Sequence, residues 1–217
     1  MHTTFHLPRN AADLAETARD FAALASDATA ADRADTDVLE ELVEHVTLDY
    51  RKVDPPGRSL GDWDTYESVI TTSDDRPVAT LQGTGRILYE RSHDGHMMMY
   101  YREKLTFPDG TAETAGWLDG TAIMGGAWQR FPLVGTSGAQ LGRLGIRSFR
   151  PTPEQPHALY QSNLLLTGSK HVESVTRTPE ELDLLLALLG PFVCPAVNPA
   201  TESGRLEPPA RSAFAPA

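Results

Sequence analysis

Apolar and polar residues alternate with a period of two through the middle of the chain, from about residue 38 to about residue 168. The alternating runs are rich in Val, Ile, Thr, Tyr, Phe and Trp, which favour extended backbone. Patterning of this kind predicts strands with one buried face and one exposed face. We predict eight strands, near residues 41–53, 63–72, 77–91, 96–107, 111–120, 126–133, 141–151 and 157–167.

Turn-forming pairs separate the predicted strands. Asp74–Asp75 follows the second strand, and Asp-Gly pairs occur at Asp94–Gly95, Asp109–Gly110 and Asp119–Gly120. Asp-Gly supplies the positive φ angles that tight hairpin turns require. Eight antiparallel strands without intervening helices suggest a sheet that is closed on itself, so the predicted fold is all-β, an eight-stranded antiparallel β-barrel over residues 38–168. Such a barrel is wide enough for its own side chains or for one small ligand.

The start of the first strand has two interpretations. Residues 36–42 also fit the pattern of a capped helix. The β-favouring residues Val43, Val46 and Tyr50 instead favour a strand from about Glu41.

The N-terminal region, residues 1–37, changes to a helical period. Asn10 is placed to cap a helix, and Leu14, Ala18 and Phe21 then fall on one face. We therefore predict a helix over residues 11–26, followed by a linker.

The C-terminal region, residues 169–193, holds a second predicted helix. Thr178-Pro179-Glu180-Glu181 is a capping box with proline at the first helical position. The leucines that follow must be buried, against the barrel or against another subunit, and Gly190 can end the helix. Residues 194–217 are rich in Pro, Ala and Ser, which predicts a disordered tail.

Charge and cysteine content narrow the classes of partner. The 217 residues carry a formal net charge of −11, which argues against binding to nucleic acid or to an anionic membrane surface. Cys194 is the only cysteine in the sequence, so neither an internal disulfide nor a cysteine-based metal site is expected. The sequence shows no signal peptide and no apolar run long enough to span a bilayer. We expect a cytoplasmic protein that does not bind membranes.

Familiar catalytic motifs are absent from the sequence. The glycines between Gly135 and Gly145 lie between strand-like segments, which favours turns and close strand packing over a phosphate-binding loop. His93 and His96 flank a hairpin turn, but no third metal ligand of suitable spacing accompanies them. Cys194 lacks the setting of a nucleophile. We therefore expect neither a metal nor a cofactor.

Aromatic residues and methionines are concentrated on the predicted strands. Met99 and Tyr101 share one strand face with Met97. Other strands carry Trp63, Trp117, Trp128, Phe131 and Phe149. Two interpretations remain open: these side chains fill the barrel as a packed core, or they line a cavity for a large apolar ligand that a few polar groups orient.

Glu41 and Arg147 are charged residues within β-like segments. Either both face solvent, or they pair across the mouth or lumen of the barrel. A buried pair would fix geometry more than it adds stability, because burying charges costs desolvation.

Short segments of the middle region resemble one known family. They are Gly61-Asp62-Trp63-Asp64, Met99-Tyr100-Tyr101-Arg102-Glu103, Ala115-Gly116-Trp117-Leu118-Asp119, Phe131-Pro132, Gly135-Thr136-Ser137-Gly138-Ala139-Gln140-Leu141-Gly142 and Gly145-Ile146-Arg147. In this order, over about residues 41–151, they resemble the bacterial spirotetronate cyclases, or Diels–Alderases. That family is itself similar to the allene oxide cyclase and dirigent barrels.

The resemblance implies a function and a site. It implies a homodimeric barrel that closes a linear, hydrophobic polyketide by an intramolecular [4+2] reaction without a cofactor. The family's substrate is a tetronate that carries an exocyclic methylene and a conjugated diene. By position, Tyr101 is the catalytic residue that hydrogen-bonds the tetronate carbonyl, and Glu41 with Arg147 forms the salt bridge that closes one end of the cavity. The residues expected to bind substrate are Trp63, Met99, Trp117, Gly120, Phe131 and Phe149.

The chain also departs from the abyssomicin member of that family. Phe149 stands where that member has a cavity tryptophan, Phe131 where it has a tyrosine, and Gly120 where it has a phenylalanine. Alternative functions are therefore another barrel cyclase that closes an ether or decalin ring, a non-catalytic carrier of a hydrophobic small molecule, or a docking role for the leucine-rich helix. The predicted N-terminal helix has two interpretations: a lid, as in some relatives, or an added packing or dimerisation element.

Overall fold

The computed structural model describes residues 36–167 and 179–193. The predicted N-terminal helix over residues 11–26, the predicted tail over residues 194–217 and Cys194 lie outside these described residues.

Eight antiparallel strands form a closed barrel in which each strand pairs with its neighbours in the sequence and the last pairs with the first. The prediction of an eight-stranded antiparallel barrel is confirmed. The strands are β1 (Thr36–Arg51), β2 (Trp63–Thr71), β3 (Pro77–Glu90), β4 (Met97–Phe107), β5 (Gly110–Asp119), β6 (Gln129–Gly138), β7 (Leu144–Pro151) and β8 (Leu159–Thr167).

Strand β1 begins at Thr36, five residues before the predicted start, so residues 36–42 are strand and not helix. The β1–β8 register shifts between Leu39 and Leu42. Within this bulge Glu41 adopts a φ of 55°, and its backbone N–H donates to Asn163 Oδ1 at 3.0 Å. A bulge changes the direction in which the following side chains point. It therefore affects which charged residues of β1 face the lumen.

Three of the four predicted turns connect hairpins. Asp75 and Gly95 have φ angles of 63° and 72°, and Asp109–Gly110 joins β4 to β5. The fourth prediction is wrong: Asp119–Gly120 begins a short helix, α1 (Gly120–Met124). The Asp119 carboxylate accepts hydrogen bonds from the backbone N–H groups of Thr121 and Ala122, so it caps a helix instead of closing a hairpin.

The leucine-rich helix α2 (Pro179–Val193) packs on the outer face of β5 and β6. Leu182, Leu185, Leu186, Leu189 and Val193 are buried there with Val134, Leu144 and Ile146 of the barrel wall. The helix does not end at Gly190, which the sequence allowed as its end. The helix runs on to Val193 because that residue lies four positions after Leu189, on the same buried face. Among the described residues, no helix is long and apolar enough to cross a membrane.

Candidate active site: a cavity in the barrel lumen

A cavity occupies one half of the barrel lumen, and a packed apolar core that includes Leu42, Ile70, Leu81, Leu105 and Leu133 fills the other half. The cavity and its open mouth together span about 640 Å³ that no atom fills, and part of this space is open to solvent. Its apolar wall includes Met99, Leu118, Ile123 and Phe149. Its polar groups include Glu44, Asp64, Tyr66, Tyr101 and Arg147, with Arg58 near the mouth.

Tyr101 projects into this cavity from β4. Its hydroxyl donates to Asp64 Oδ2 at 2.7 Å, and Asp64 is only 2% exposed. Burial, reinforced by the negative charge of Asp64, raises the pKa of Tyr101 well above its ordinary value. Tyr101 is therefore a neutral phenol and a hydrogen-bond donor.

Three strand glycines make room for the aromatic rings of the lumen. A Cβ atom on Gly83 would lie closer than 3.0 Å to the ring of Tyr66, and one on Gly85 closer than 3.0 Å to the ring of Tyr101. Gly116 stands in the same relation to Phe131. Glycine inside a strand marks a close approach of another group, so these three positions set how deeply the rings lie in the barrel.

The aromatic rings form a continuous wall. Tyr101 stacks on Phe131 with ring centroids 6.4 Å apart and an angle of 28° between the ring planes. Phe131 meets Phe149 edge to face at 5.2 Å. Such contacts restrict ring motion and add to the stability that comes from area burial, so this side of the cavity is a rigid surface.

A cluster of buried ionisable groups lies in the lumen and includes cavity-lining residues. Arg147 Nη2 donates to both carboxylate oxygens of Glu44, at 2.9 and 2.8 Å, and Arg147 Nη1 lies 3.3 Å from Glu103 Oε1. Tyr66 donates to the same oxygen of Glu103, and the Arg147 guanidinium lies over the ring of Phe149 at 3.9 Å. Glu44, Glu103 and Arg147 are each 2% exposed or less.

This cluster places two carboxylates beside a single guanidinium. Burial raises the pKa of Glu103 to about 7, and the positive charge of Arg147 and the hydrogen bond from Tyr66 only partly offset that effect. The negative charge of Glu44 raises the pKa of Glu103 further. Glu44 therefore holds Arg147 by two hydrogen bonds, whereas Glu103, with a pKa of about 7, is close to its titration midpoint near neutral pH.

The cavity mouth is built by helix α1 and by the loop between β1 and β2. Ile123 and Met124 of α1 line the cavity, and Arg58 Nη1 donates to the carbonyl oxygen of Gly120 at 2.9 Å. Asp62 holds the loop, because its carboxylate accepts from the backbone N–H groups of Val53 and Ser59, at 2.7 and 3.0 Å.

Of the residues predicted to contact substrate, Tyr101, Met99 and Phe149 line the cavity. Phe131 is fully buried and lies behind Tyr101 and Phe149, so it supports the cavity wall. Gly120 begins α1, and a Cβ atom at this position would lie 2.9 Å from Met99 Sδ. Their roles toward a substrate stay predictions.

Two predicted site residues lie on the outside of the barrel. Trp63 is 41% exposed and precedes Asp64, which points inward. Trp117 precedes the cavity-lining Leu118, and its ring packs edge to face on Tyr89 and Tyr100. Trp63 and Trp117 do not line the cavity, because neighbouring residues of a strand face opposite sides of the sheet. Their role toward a substrate stays a prediction.

The predicted salt bridge has the correct cation and the wrong anion. Glu41 occupies the β1 bulge and is exposed, so the predicted Glu41–Arg147 pair does not form. Glu44, three residues further along β1, points inward beyond the bulge and holds Arg147. The bulge moves the inward-facing positions of β1, and nothing in the local sequence indicates it.

Sequence reasoning missed several cavity groups, chiefly Glu44, Asp64, Tyr66 and Arg58. Glu103 was also missed, although strand periodicity could have identified it. It follows Tyr101 by two positions and must share its face. The register between strands brings the other groups together, and sequence periodicity does not specify that register.

The two turn histidines do not form a metal site with neighbouring ligands. Within residues 36–167 and 179–193, no group of three or more His, Cys, Asp or Glu side chains is arranged to hold a metal ion. His96 Nδ1 instead lies 2.7 Å from Asp119 Oδ2, and Arg91 Nη2 donates to the same oxygen at 2.9 Å.

Comparisons with known proteins agree with this architecture. The family model described as allene oxide cyclase barrel-like domain matches residues 41–166. The solved structure of the Diels–Alderase AbmU from Streptomyces koyangensis is 55% identical, covers 90% of each chain and has a TM-score of 0.75. A nonspecific heme-binding cyclase that catalyses [4+2] cycloaddition during neoabyssomicin biosynthesis is also 55% identical, covers 94% of this chain and 97% of its own, and has a TM-score of 0.79.

A more distant solved structure extends the comparison. AbnU, an exo-specific intermolecular Diels–Alderase, is 25% identical to this chain, with a TM-score of 0.53. The match covers 60% of this chain and 96% of AbnU. No curated protein sequence matches the chain.

Proposed function

The chain belongs to the allene oxide cyclase barrel-like family, and from that premise we propose that it is an intramolecular [4+2] cyclase, a Diels–Alderase, acting on a linear polyketide. The observation that carries the proposal is the 55% identity, over at least 90% of both chains, to two proteins described as [4+2] cyclases. The proposed substrate is a tetronate with an exocyclic methylene as dienophile and a conjugated diene.

The cavity geometry suits this reaction because a [4+2] addition transfers no proton and uses no nucleophile. The main barrier for a long flexible substrate is the entropy lost when the diene folds back onto the dienophile. A cavity closed at one end by a packed core and walled by Phe149, Met99 and Leu118 would hold the folded form. Pre-arranging two reacting groups in this way lowers the barrier by several kcal/mol, up to roughly 7–11 kcal/mol in the best cases.

Tyr101 is the group that this proposal assigns to the dienophile. Its hydroxyl is a neutral donor within the cavity, and a hydrogen bond to the tetronate carbonyl would lower the energy of the dienophile's accepting orbital. That bond strengthens as negative charge builds on the carbonyl oxygen in the transition state. The apolar wall around Met99 and Phe149 would keep water from the reactive methylene.

The test is turnover of a linear tetronate that carries both a methylene and a conjugated diene. Purified protein without added cofactor is incubated with this compound beside a no-protein control and a second arm with added hemin. Chromatography with mass spectrometry follows the reaction. The expected result is a product of unchanged mass that lacks the diene absorbance, forms as a single stereoisomer above the background rate, and forms equally without hemin.

Other outcomes separate the alternatives. Substrate that disappears into a product of different connectivity would favour another cyclisation, such as ether or decalin closure. Substrate that persists while it shifts the tryptophan fluorescence would favour a carrier. The proposed homodimer is tested separately, by light scattering of the purified protein during size-exclusion chromatography.

A further inference from the structure

The proposed catalytic hydroxyl already has a hydrogen-bond acceptor inside the protein. Tyr101 Oη lies 2.7 Å from Asp64 Oδ2, with the phenolic O–H as donor and the carboxylate as acceptor. Asp64 stands on β2 and Tyr101 on β4, so the contact crosses the lumen side of β3, directly over Gly85. Asp64 is 2% exposed, so bulk water has little access to this bond.

This contact conflicts with the role of Tyr101 toward a substrate. A phenol carries one proton, and a proton held by a carboxylate is not available to a carbonyl oxygen. Hydrogen bonds to a charged acceptor are about twice as strong as neutral ones. A substrate carbonyl therefore competes poorly with ionised Asp64 for the hydroxyl of Tyr101.

Protonation of Asp64 removes the conflict without moving any heavy atom. A neutral Asp64 can donate its own proton to Tyr101 Oη across the same 2.7 Å, which frees the phenolic O–H to point into the cavity. The two bonds would then run in series, and hydrogen bonds in a chain strengthen one another.

We propose that Asp64 is a positioning residue that controls the direction of the Tyr101 hydroxyl, and that the protonated form of Asp64 is the active form. This inference rests on the proposed [4+2] function. It predicts that the rate of the reaction depends on the protonation of Asp64, although the cycloaddition itself transfers no proton.

The surroundings of Asp64 shift its pKa upward. Burial raises the pKa of Asp64, and the hydrogen bond from Tyr101 and the positive charge of Arg58 only partly offset this effect. The ionisable groups around the same cavity are Glu44 and Tyr50 of β1, Tyr66 of β2, Arg147 of β7, Tyr160 of β8 and His157 of the loop before it, with Glu103 of β4 below Tyr101. Glu44, Glu103 and Arg147 of this set belong to the buried cluster. Because Glu103 has a pKa of about 7, the test needs a control for its titration.

The pH dependence of kcat tests the inference. For the wild-type protein we expect kcat to fall about tenfold or more as the pH rises from about 4 to 8, the effect of losing one strong hydrogen bond. Asp64→Asn offers a neutral amide that does not hold the phenolic proton as a carboxylate does. It is expected to keep a high kcat that no longer falls with pH, with KM little changed. Tyr101→Phe is expected to have a low kcat at every pH.

Asp49→Asn is the control, because Asp49 lies on the outer face of β1 and its side chain is 57% exposed. It removes an aspartate charge without touching the cavity lining, so this variant should keep the wild-type pH profile. Titration of the substrate would appear alike in all four proteins. Because the charge of Asp64 raises the pKa of Glu103, a pH profile of Glu103→Gln is also measured, and loss of the fall in kcat in that variant would assign the profile to Glu103 and overturn the inference.

A spectroscopic measurement on the wild-type protein needs no variant to fold. With carbon-13 labels at aspartate Cγ and tyrosine Cζ, the Asp64 and Tyr101 signals should titrate together, with a midpoint above the ordinary range of an aspartate. A Tyr101 signal that stays constant while Asp64 titrates would overturn the inference. So would an Asp64→Asn profile identical to that of the wild type. Absence of wild-type turnover at every pH would refute the proposed function and the inference that rests on it, whereas turnover with a pH-independent kcat would refute the inference alone.

Discussion

Glu103 should reduce the stability of the folded protein at neutral pH, and its replacement by glutamine should relieve that cost. The side chain is 2% exposed and shares Arg147 with Glu44, so the lumen holds one carboxylate more than its guanidinium can neutralise. Glutamine keeps the shape and an acceptor oxygen for Tyr66 while it removes the second charge. Glu103→Gln is therefore expected to stabilise the protein at pH 8.

The magnitude follows from the pKa of Glu103, which burial raises from its ordinary 4.5 to about 7. Between these values the folded protein binds a proton that the unfolded chain has released, so the free energy of unfolding falls as the pH rises. At about 1.4 kcal/mol per tenfold change in proton affinity, the full loss is about 3 kcal/mol. It begins near pH 4.5, the pKa in the unfolded chain, and is complete above about pH 7.

Urea unfolding followed by tryptophan fluorescence, at pH values from 4.5 to 8.5, measures this effect. The free energy of unfolding of Glu103→Gln, minus that of the wild type, should rise by about 3 kcal/mol across the range and level off above pH 7. Glu67→Gln removes the same charge from the exposed face of β2 and is the matched control. A difference that stays constant with pH would refute the reasoning.

Three further predictions concern the same lumen. Arg147→Met leaves Glu44 and Glu103 buried without a cation, and urea unfolding at pH 8 should show a loss of about 3–5 kcal/mol; a loss below about 1 kcal/mol would contradict the buried pairing. Tyr101→Phe should lower kcat about tenfold, the effect of one hydrogen bond, with an unchanged circular dichroism spectrum, and an unchanged kcat would remove Tyr101 from the mechanism. Gly85→Ala places a methyl group against the Tyr101 ring, so thermal and urea unfolding should show a loss of about 1–3 kcal/mol. Gly57→Ala, which has open space around it, is its control, and equal stability of the two variants would contradict the packing argument.

The local pattern of the sequence was sufficient to predict the strands that form the barrel wall. Period-two alternation predicted all eight strands near their observed positions, and acidic and glycine pairs marked three of the hairpins. These features depend on neighbouring residues alone, because strand propensity and turn geometry are local properties. A local pattern that fits two structures does not decide between them. Asp119–Gly120 fits both a hairpin turn and a helix cap, and in the structure Asp119 caps a helix.

The sequence by itself also determined which residue types the lumen holds, including Tyr101, Met99, Phe149 and Arg147. Only the tertiary structure decided how they meet. The bulge at Glu41 turns Glu44 toward Arg147, and the strand parity of β2 and β5 puts Trp63 and Trp117 outside. Likewise, Asp64 and Tyr101 are 37 residues apart in the sequence, and the register of β2, β3 and β4 brings them to 2.7 Å. The physical reason is that a one-residue change of register or a single bulge exchanges the faces of a strand, and both depend on contacts between distant parts of the chain.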